Sequence, residues 1–193
     1  MKPLSTLRDL GRGRTCLIIG GGHSVNKIDF DKIPKDVYII STNNHKYKMA
    51  DMIVYYDKDM NEYFRNKILK PNQLLVGFQH SKKLNHTTDN CTHFYTYQDM
   101  IFGDTGYHCL QFADKIFRFD KIYLTGFDYT VSGDSYHYDE DVSDKKKLKT
   151  FKKWSIGKVL LRYNDVTWTN EIYNCNKVAR KTDFDYFGYD LPY

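Results

Sequence analysis

The sequence lacks cysteines at metal-binding spacing. Its four cysteines, Cys16, Cys91, Cys109 and Cys175, lie far apart, and none belongs to a Cys-x-x-Cys pair. Structural zinc sites are built from closely spaced Cys and His ligands, so we expect no zinc. We expect no haem either. Because Cys16, Cys109 and Cys175 fall in apolar or strand-like runs, we predict that these thiols are buried.

Long apolar runs are missing as well. No run approaches the ~20 residues that a membrane-spanning helix needs. The first 13 residues lack the apolar core of a secretory signal peptide. We therefore expect a soluble protein in the cytoplasm, a reducing compartment where thiols stay free.

An excess of charge of one sign is also nearly absent. The 29 Lys and Arg residues face 24 Asp and Glu residues, which gives a net charge of +5. Much of this excess lies in residues 145–153, on a predicted helix over residues 143–163. We interpret these lysines as a solvated helix face, with phosphate steering as the alternative. No fold signature of nucleic-acid binding is visible, so a nucleic-acid partner is unsupported.

The stretch CLIIGGGHSV, residues 16–25, organises the chain. Cys16 to Ile19 is short and wholly apolar, which is typical of a strand buried on both faces. Gly20, Gly21 and Gly22 follow at once and let the backbone turn sharply and approach a ligand closely. Ser24 then offers a helix N-cap, and we interpret the stretch as the phosphate end of a nucleotide site.

The glycine pattern also has a plainer interpretation. It lacks the third glycine of the dinucleotide fingerprint and the Lys-Ser/Thr pair of a P-loop. A glycine-rich turn between a core strand and a surface loop therefore stays open as the alternative.

Predicted strands alternate with predicted helices along the chain. The predicted strands cover residues 16–19, 36–41, 51–56, 73–78, 91–97, 121–125 and 166–174. Besides 143–163, helices are predicted over 58–69 and from a cap at Asp104 or Thr105 to about Phe119. This alternation predicts an α/β fold: one Rossmann-like domain over residues 1–193, with a mostly parallel sheet of six to seven strands and helices on both faces. Residues 1–14 form an N-terminal extension, expected to pack on an edge of the sheet, and residues 177–193 form a C-terminal tail.

Glycine and polar residues follow several predicted strands directly. Open parallel sheets bind ligands at the carboxyl ends of their strands, so we expect these residues to line one nucleotide site. Thr105 and Gly106 open a helix, whose first N–H groups are additional anion donors. The set of predicted nucleotide-binding residues is Gly20, Gly21, Gly22, Ser24, Asn43, Asp57, Thr105, Gly106 and Gly126.

Two carboxylates, Asp57 and Asp128, also follow predicted strands directly or closely. Each carboxylate can hold Mg²⁺ with a nucleotide phosphate or accept a hydrogen bond from a ribose hydroxyl. For Asp57 the alternative is a cap on the helix that starts at Lys58. Asp128 precedes a loop and no helix, so a functional role is favoured there.

His137 lies between Tyr136 and Tyr138 in the loop after Asp128. An imidazole at this place can act as general base or acid near neutral pH. The two phenols can donate hydrogen bonds to phosphate oxygens. A surface loop rich in aromatic residues is the alternative.

These elements together resemble the bacterial single-domain sialyltransferases that modify lipooligosaccharide. The resemblance is carried by CLIIGGGHSV, by Asn43, by Thr105-Gly106-Tyr107 and by IYLTGFD at residues 122–128. It implies that Gly20, Gly22 and Ser24 hold phosphate or ribose and that Asn43 and Gly106 line the nucleotide site. It also implies that Tyr136 donates a hydrogen bond to the leaving phosphate. In this chain no His follows His137, whereas the family has one in a downstream lid.

The same elements are similar to a second family, the hydroxymethylpterin pyrophosphokinase-like proteins with their phage and prophage relatives. This resemblance implies a nucleoside triphosphate as substrate. Asp57 and His137 match features typical of this branch. In this case Asp57 and Asp128 are the predicted Mg²⁺ ligands.

Three functions follow from these resemblances. The leading one is a nucleotide-dependent transferase, of glycosyltransferase type, that uses a nucleotide sugar and a sugar or other hydroxyl acceptor, with His137, Asp128 and Tyr136 as catalytic residues. The second is a Mg²⁺-dependent, pyrophosphokinase-like enzyme that uses a nucleoside triphosphate. The third is a nucleotide-binding module without turnover, such as a phage accessory protein. We expect the protein in the cytoplasm of a bacterium or of a phage-infected host cell, and homo-oligomers are compatible with each function.

Overall fold

A single parallel sheet forms the centre of the molecule. The computed structural model describes residues 1–79, 90–100, 103–128 and 166–175, and the backbone of residues 185–186. The described part contains nine strands, in the spatial order β1-β6-β5-β4-β3-β2-β7-β8-β9, and every neighbouring pair is parallel. Their bounds are β1 Lys2–Pro3, β2 Thr15–Ile19, β3 Tyr38–Thr42, β4 Met52–Tyr55, β5 Leu74–Phe78, β6 His93–Tyr95, β7 Lys121–Thr125, β8 Glu171–Asn174 and β9 Asp185–Tyr186.

The strand order changes direction between β2 and β7. From β2 the chain moves outward on one side through β3, β4, β5 and β6, and β7 then returns to pair with the other side of β2. Ile19 at the end of β2 lies beside Thr125 at the end of β7. A crevice opens at such a switch point in doubly wound sheets, so the carboxyl ends of β2 and β7 are the favoured place for a ligand.

Two α-helices and several tighter turns cover the sheet. Helix α1 spans Lys58–Arg65, and α2 spans Thr105–Gln111 and continues as a π-helical segment over Phe112–Phe117. Three 3₁₀ turns span Leu4–Leu7, His23–Lys27 and Phe30–Lys32. Because α1 and α2 pack in separate core clusters on opposite faces, both faces of the sheet are covered.

The apolar run of β2 shows why the sheet is buried on both sides. Side chains of successive strand residues point to opposite faces. Cys16 and Ile18 belong to the cluster under α2, whereas Leu17 and Ile19 belong to the cluster on the other face, and all four are fully buried. An amphipathic strand would leave one of these faces polar, so the continuous apolar run is what a central parallel strand requires.

The α/β architecture with a parallel sheet is confirmed, and seven of the strands match predicted ones. The two additional strands, β1 and β9, are two-residue edge strands that are too short to leave a periodic pattern. The N-terminal segment packs on an edge of the sheet as predicted, since β1 pairs with β6. All four cysteines are free and buried, which confirms the prediction for three of them.

Several predicted element boundaries were wrong. Helix α1 ends at Arg65 rather than Leu69 because the Asn90 amide donates to the carbonyls of Phe64, Arg65 and Lys67, each at 3.2 Å. This long-range cap satisfies the last carbonyls of the helix and has no local sequence signal.

Two further corrections concern caps and strand starts. Ser24 is not an N-cap, because the turn that contains it begins after Gly22 and Ser24 lies inside it. The last predicted strand, 166–174, pairs with the sheet only from Glu171 onward. Thr169 and Asn170, just before the strand, instead bind the buried carboxylate of Asp114, which accepts hydrogen bonds from both backbone amides.

Several predictions lie outside the described residues. They are the helix over 143–163 with its lysines, the loop with Tyr136, His137 and Tyr138, and the tail over 177–193 apart from β9. Among the described helices, none combines the length and the hydropathy that crossing a bilayer requires.

Candidate functional site

The glycine-rich stretch after β2 runs along the end of β7. The Gly20 amide donates to the Thr125 carbonyl at 2.7 Å, and the Gly22 amide donates to the Gly126 carbonyl at 2.8 Å. A Cβ at position 22 would lie 2.6 Å from Cγ of Asp128, and one at position 20 would lie 2.6 Å from the Gly126 oxygen. Such distances are far below van der Waals contact, so side chains at 20 and 22 are excluded by close packing of the two segments.

Ser24 and Asp128 join these segments through three hydrogen bonds. The Ser24 amide donates to Oδ2 of Asp128 at 2.7 Å, and the Ser24 hydroxyl donates to Oδ1. The same hydroxyl accepts from the Gly126 amide at 2.9 Å. Both residues are buried, so the Asp128 carboxylate fixes the conformation of the glycine-rich turn.

Gly126 turns the chain at the end of β7. Its φ of +75° lies in the left-handed region, where a side chain is strained, and a Cβ there would also lie 2.5 Å from the Gly20 oxygen. The turn directs Phe127 toward α2, where a Cβ at position 106 would lie 2.7 Å from the Phe127 ring. Gly106 is therefore held against the same corner as Gly20, Gly22 and Asp128.

The start of α2 is capped by its own chain. Oδ1 of Asp104 accepts from the Tyr107 amide at 2.7 Å, which decides between the two predicted caps in favour of Asp104. Because the Asp104 side chain binds the Tyr107 amide, the amides left at the start of the helix are those of Thr105 and Gly106. These two are the remaining candidates among the predicted N–H donors to an anion.

Asn43 follows β3, the neighbour of β2 on the other side. Its φ of +54° is left-handed, a conformation that Asn tolerates better than most residues. Its amide donates to the Val54 carbonyl at 2.8 Å. The preceding residue, Thr42, donates its hydroxyl to the Ile19 carbonyl at 3.0 Å, which holds this corner beside the end of β2.

Three buried polar atoms at the ends of these strands have no hydrogen-bond partner among the described residues. They are Nε2 of His23, Oδ1 of Asn43 and Oγ1 of Thr125. A buried polar group without a partner costs about 1–3 kcal/mol, so such groups are rare in folded proteins and call for an explanation. These three atoms lie at the ends of β2, β3 and β7, so the residues at this rim lower the stability of the fold.

Asp57 lies at the same rim, at the end of β4 and two strands away from β2. It occupies the N-cap position of α1, yet its side chain makes no capping hydrogen bond. Burial raises the pKa of Asp57 above its ordinary value, and the negative charges of Asp59 and Asp104 raise it further. Asp57 is nevertheless exposed to solvent. Its carboxylate is therefore accessible to a ligand, although neighbouring protein groups surround part of it.

The described residues bring no set of metal ligands together. Among them, no group of three or more His, Cys, Asp or Glu side chains is placed to hold an ion. Of the two predicted Mg²⁺ ligands, Asp128 uses both carboxylate oxygens to bind Ser24. Asp57 is the one whose carboxylate stays available.

Sequence reasoning missed an aromatic cluster at this rim. Tyr56 follows β4, Phe78 ends β5, and Tyr97 lies two residues beyond β6. The Phe78 ring centroid lies 4.7 Å from that of Tyr56 and 4.8 Å from that of Tyr97. Tyr56 directly precedes Asp57 at a strand end, and this position could have signalled its place at the rim.

Seven of the predicted site residues therefore lie together at the carboxyl ends of β2, β3 and β7, and Gly21 and Thr105 lie in the same segments. The seven are Gly20, Gly22, Ser24, Asn43, Gly106, Gly126 and Asp128. Asp57 lies further along the rim. His137 and Tyr136, the predicted base and phosphate ligand, lie outside the described residues.

Comparisons with known proteins give similarity at the level of the fold. No protein-family model matches the chain, and no curated protein sequence matches it. Among solved structures, the chain is similar to the sialyltransferase CstII from Campylobacter jejuni in complex with the substrate analogue CMP-3FNeuAc. The TM-score is 0.55 at 17% sequence identity, over 89% of this chain and 86% of that one. It is also similar to a structure of sialyltransferase CST-II with a trisaccharide acceptor and CMP, with a TM-score of 0.54 at 16% identity, over 93% of this chain and 89% of that one. The chain thus has the fold of these sialyltransferases over most of its length.

Proposed function

We propose that the protein is a glycosyltransferase that binds a nucleotide sugar at the carboxyl ends of β2, β3 and β7 and transfers the sugar to a hydroxyl acceptor. The observation that carries the proposal is the corner formed by Gly20, Gly22, Gly126 and the Ser24–Asp128 pair at the switch point of the sheet. The fold similarity to structures bound to CMP, a CMP-sugar analogue and an acceptor supports the choice of ligand.

The corner offers a ligand close approach to the backbone. Its glycines present backbone without side chains, and both oxygens of the Asp128 carboxylate are engaged by the two donors of Ser24. The Thr105 and Gly106 amides open α2 beside it, and donors of this kind stabilise phosphate oxygens. Oδ1 of Asn43 is an acceptor for a ribose hydroxyl or a base amine.

The transfer needs one bond to form and one to break. The acceptor oxygen bonds to the anomeric carbon, the bond from that carbon to the phosphate oxygen breaks, and the nucleotide leaves with the electron pair. We propose that His137 removes the proton from the acceptor hydroxyl. Tyr136 and the amides at the start of α2 stabilise the charge on the leaving phosphate. Because Asp128 binds Ser24 through both oxygens, we assign it the role of positioning the glycine-rich turn.

One observation favours a second candidate, the Mg²⁺-dependent transfer of a diphosphoryl group. Asp57 does not cap α1, and carboxylate oxygens are preferred Mg²⁺ ligands. Asp57 would hold the ion, which would neutralise charge on the transferred phosphates. This candidate depends on one carboxylate of the described residues, whereas the glycosyltransferase proposal uses the whole corner.

Calorimetry with a panel of nucleotides, nucleoside triphosphates and nucleotide sugars tests the proposed site. We expect one nucleotide sugar to bind to the wild-type protein and Gly22→Val to lose at least tenfold in affinity, because its side chain would displace Asp128. Gly22→Ala is the milder variant if the first does not fold. Gly13→Asn is the control, since position 13 is open and Asn tolerates its φ of +74°.

A turnover assay separates an enzyme from a binding module. We expect release of free nucleotide from the bound nucleotide sugar in the presence of a hydroxyl acceptor. His137→Ala should abolish this release with binding intact. Unchanged affinity in both Gly22 variants would refute the site, and binding without turnover for every donor and acceptor would favour the module.

A further inference from the structure

Two tyrosines, Tyr56 and Tyr97, pack against Phe78 at the rim beside the proposed nucleotide site. The ring of Tyr56 lies against Phe78 at an interplanar angle of 41°, and the ring of Tyr97 meets Phe78 at 73°. Phe78 is buried and belongs to β5, so its ring is a rigid support for both tyrosine rings. Tyr56 also contacts the buried His108 ring, with the ring centroids 5.3 Å apart and an interplanar angle of 62°. The two phenols are thus pre-organised at little further cost in conformational entropy.

Tyr97 is one of the few large hydrophobic side chains that are exposed in the part of the chain that the structure describes. In the described ranges three large hydrophobic side chains are exposed, Met1, Ile68 and Tyr97. Met1 precedes the first strand and Ile68 follows α1, so both lie toward the amino ends of the strands. Tyr97, which is 46% exposed, is the one at the carboxyl rim.

The hydroxyl groups of the two tyrosines face each other. Their oxygens are 3.5 Å apart, and Asp57 follows Tyr56 in the chain. A phenol hydroxyl can donate and accept hydrogen bonds, and the carboxylate of Asp57, the next residue after Tyr56, is an acceptor.

Aromatic faces, phenol donors and a carboxylate acceptor together match the chemistry of a sugar ring. A pyranose has an apolar face of C–H groups, which packs on aromatic rings, and a periphery of hydroxyls that donate and accept hydrogen bonds. Strands are spaced by about 4.8 Å, so Tyr56 at the end of β4 lies about 10 Å from the glycine-rich corner at β2. A glycan that reacts at the phosphate can extend along the rim to this cluster.

We propose that Tyr56, Tyr97 and Asp57 form a pyranose-binding subsite at the carboxyl ends of β4 to β6. The inference rests on the proposed function, in which a sugar is transferred at the adjacent corner. The pyranose belongs to the acceptor glycan or to the donor sugar, and the same side-chain chemistry recognises either one.

Two binding measurements on the full chain test the subsite and identify the source of the sugar. The first is saturation-transfer NMR with lactose, maltose and cellobiose as free glycan probes. The second is calorimetry that compares CMP and UMP with CMP-N-acetylneuraminic acid and UDP-galactose. We expect Tyr97→Ala to weaken a sugar-containing ligand about tenfold, as for a central aromatic contact, and to leave the free nucleotides unchanged.

The variants separate the ring from the hydroxyl. Tyr97→Phe keeps the aromatic face and should retain most of the affinity, whereas Asp57→Asn should weaken binding through loss of the acceptor charge. Tyr173→Ala is the control, because this half-buried tyrosine stacks on Tyr123 within the sheet and not at the rim. Loss of disaccharide binding in Tyr97→Ala assigns the subsite to an acceptor, and loss of nucleotide-sugar affinity alone assigns it to the donor.

The outcomes keep the two proposals apart. Unchanged binding of every sugar ligand in Tyr97→Ala, or no saturable binding of any sugar ligand to the wild-type protein, overturns the subsite. If no nucleotide binds to the wild-type protein, the proposed function fails, while the disaccharide experiment still reports on the tyrosines.

Discussion

The Asp128 carboxylate holds Ser24 through both of its oxygens, so two residues 104 positions apart share one buried hydrogen-bonded unit. Ser24 also accepts from the Gly126 amide at 2.9 Å, which closes the unit onto the end of β7. The glycines on either side approach each other too closely for side chains. The corner is therefore rigid before any ligand arrives, which is the condition for precise placement of a phosphate.

Asp128→Asn should destabilise the fold. One carboxylate oxygen becomes an NH₂ group that cannot accept from Ser24, so a buried donor loses its partner at a cost of about 1–3 kcal/mol. Urea unfolding measures the loss. Asp120→Asn is the matched control, since Asp120 is exposed and accepts one bond from the Gly13 amide at 3.1 Å, and its effect should be smaller. Equal effects of the two substitutions would show that the Ser24–Asp128 unit contributes little.

Asn43→Gly should separate ligand binding from stability. Glycine adopts the left-handed φ of +54° without strain, so the backbone is kept and only the amide with its unpaired Oδ1 is lost. We expect the unfolding free energy to change by less than about 1 kcal/mol, because a glycine in a left-handed position costs little and the lost oxygen had no partner. Nucleotide affinity should fall at least tenfold.

Asn72→Gly is the control for this substitution. Asn72 also has a left-handed φ, of +65°, and lies exposed in the turn before β5, away from the rim. Calorimetry and thermal unfolding on both variants decide the matter. If Asn43→Gly and Asn72→Gly bind nucleotide equally well, the Asn43 amide does not contact the ligand.

The apolar runs and the residues that follow them made much of this arrangement predictable. The run from Cys16 to Ile19 could be placed as a central strand, and parallel strands bring their carboxyl ends to one rim, so the glycines, Asn43 and Asp128 were expected at the same place. The Ser24–Asp128 bond could not be predicted, because it joins residues far apart in sequence. Local propensity at Ser24 instead suggested a helix cap.

Other features depend on tertiary contacts that leave no local pattern. The end of α1 is set by Asn90, a residue 25 positions beyond Arg65 in the chain. The helix predicted to Phe119 changes to π-helical hydrogen bonding at Phe112 and ends at Arg118, whose left-handed φ of +60° stops it. The contacts of Tyr56 and Tyr97 with Phe78 join the ends of three strands that are separate in the sequence, so local patterns do not reveal the aromatic cluster.

His108 should make the fold sensitive to acid. Its ring is fully buried among Tyr56, Tyr95 and Phe112, neither ring nitrogen has a partner among the described residues, and burial lowers the pKa to about 4. In the unfolded chain the imidazole takes up its proton near pH 6.5. The free energy of unfolding therefore keeps its full value above that pH and falls as the pH drops from about 6.5 to about 4. At pH 5 the loss amounts to about 2 kcal/mol.

His108→Phe tests this prediction. The aromatic replacement packs among the same rings and cannot take up a proton, so the difference between its unfolding free energies at pH 7 and pH 5 should be about 2 kcal/mol smaller than in the wild-type protein. Urea unfolding at the two pH values measures the difference. A wild-type protein and a variant with parallel pH profiles would show that the ring is accessible to protons in the folded state.

Removal of divalent cations distinguishes the two candidate chemistries. We expect nucleotide-sugar turnover to persist in EDTA, because the Ser24–Asp128 unit leaves Asp57 as the one predicted metal ligand of the described residues whose oxygens are available. A single carboxylate supplies too few ligands for tight Mg²⁺ binding without the substrate phosphates. Asp57→Asn should then weaken sugar binding while leaving the effect of EDTA unchanged. Loss of turnover in EDTA, restored by added Mg²⁺ in the wild-type protein but not in Asp57→Asn, would instead favour transfer of a diphosphoryl group with the ion held at Asp57.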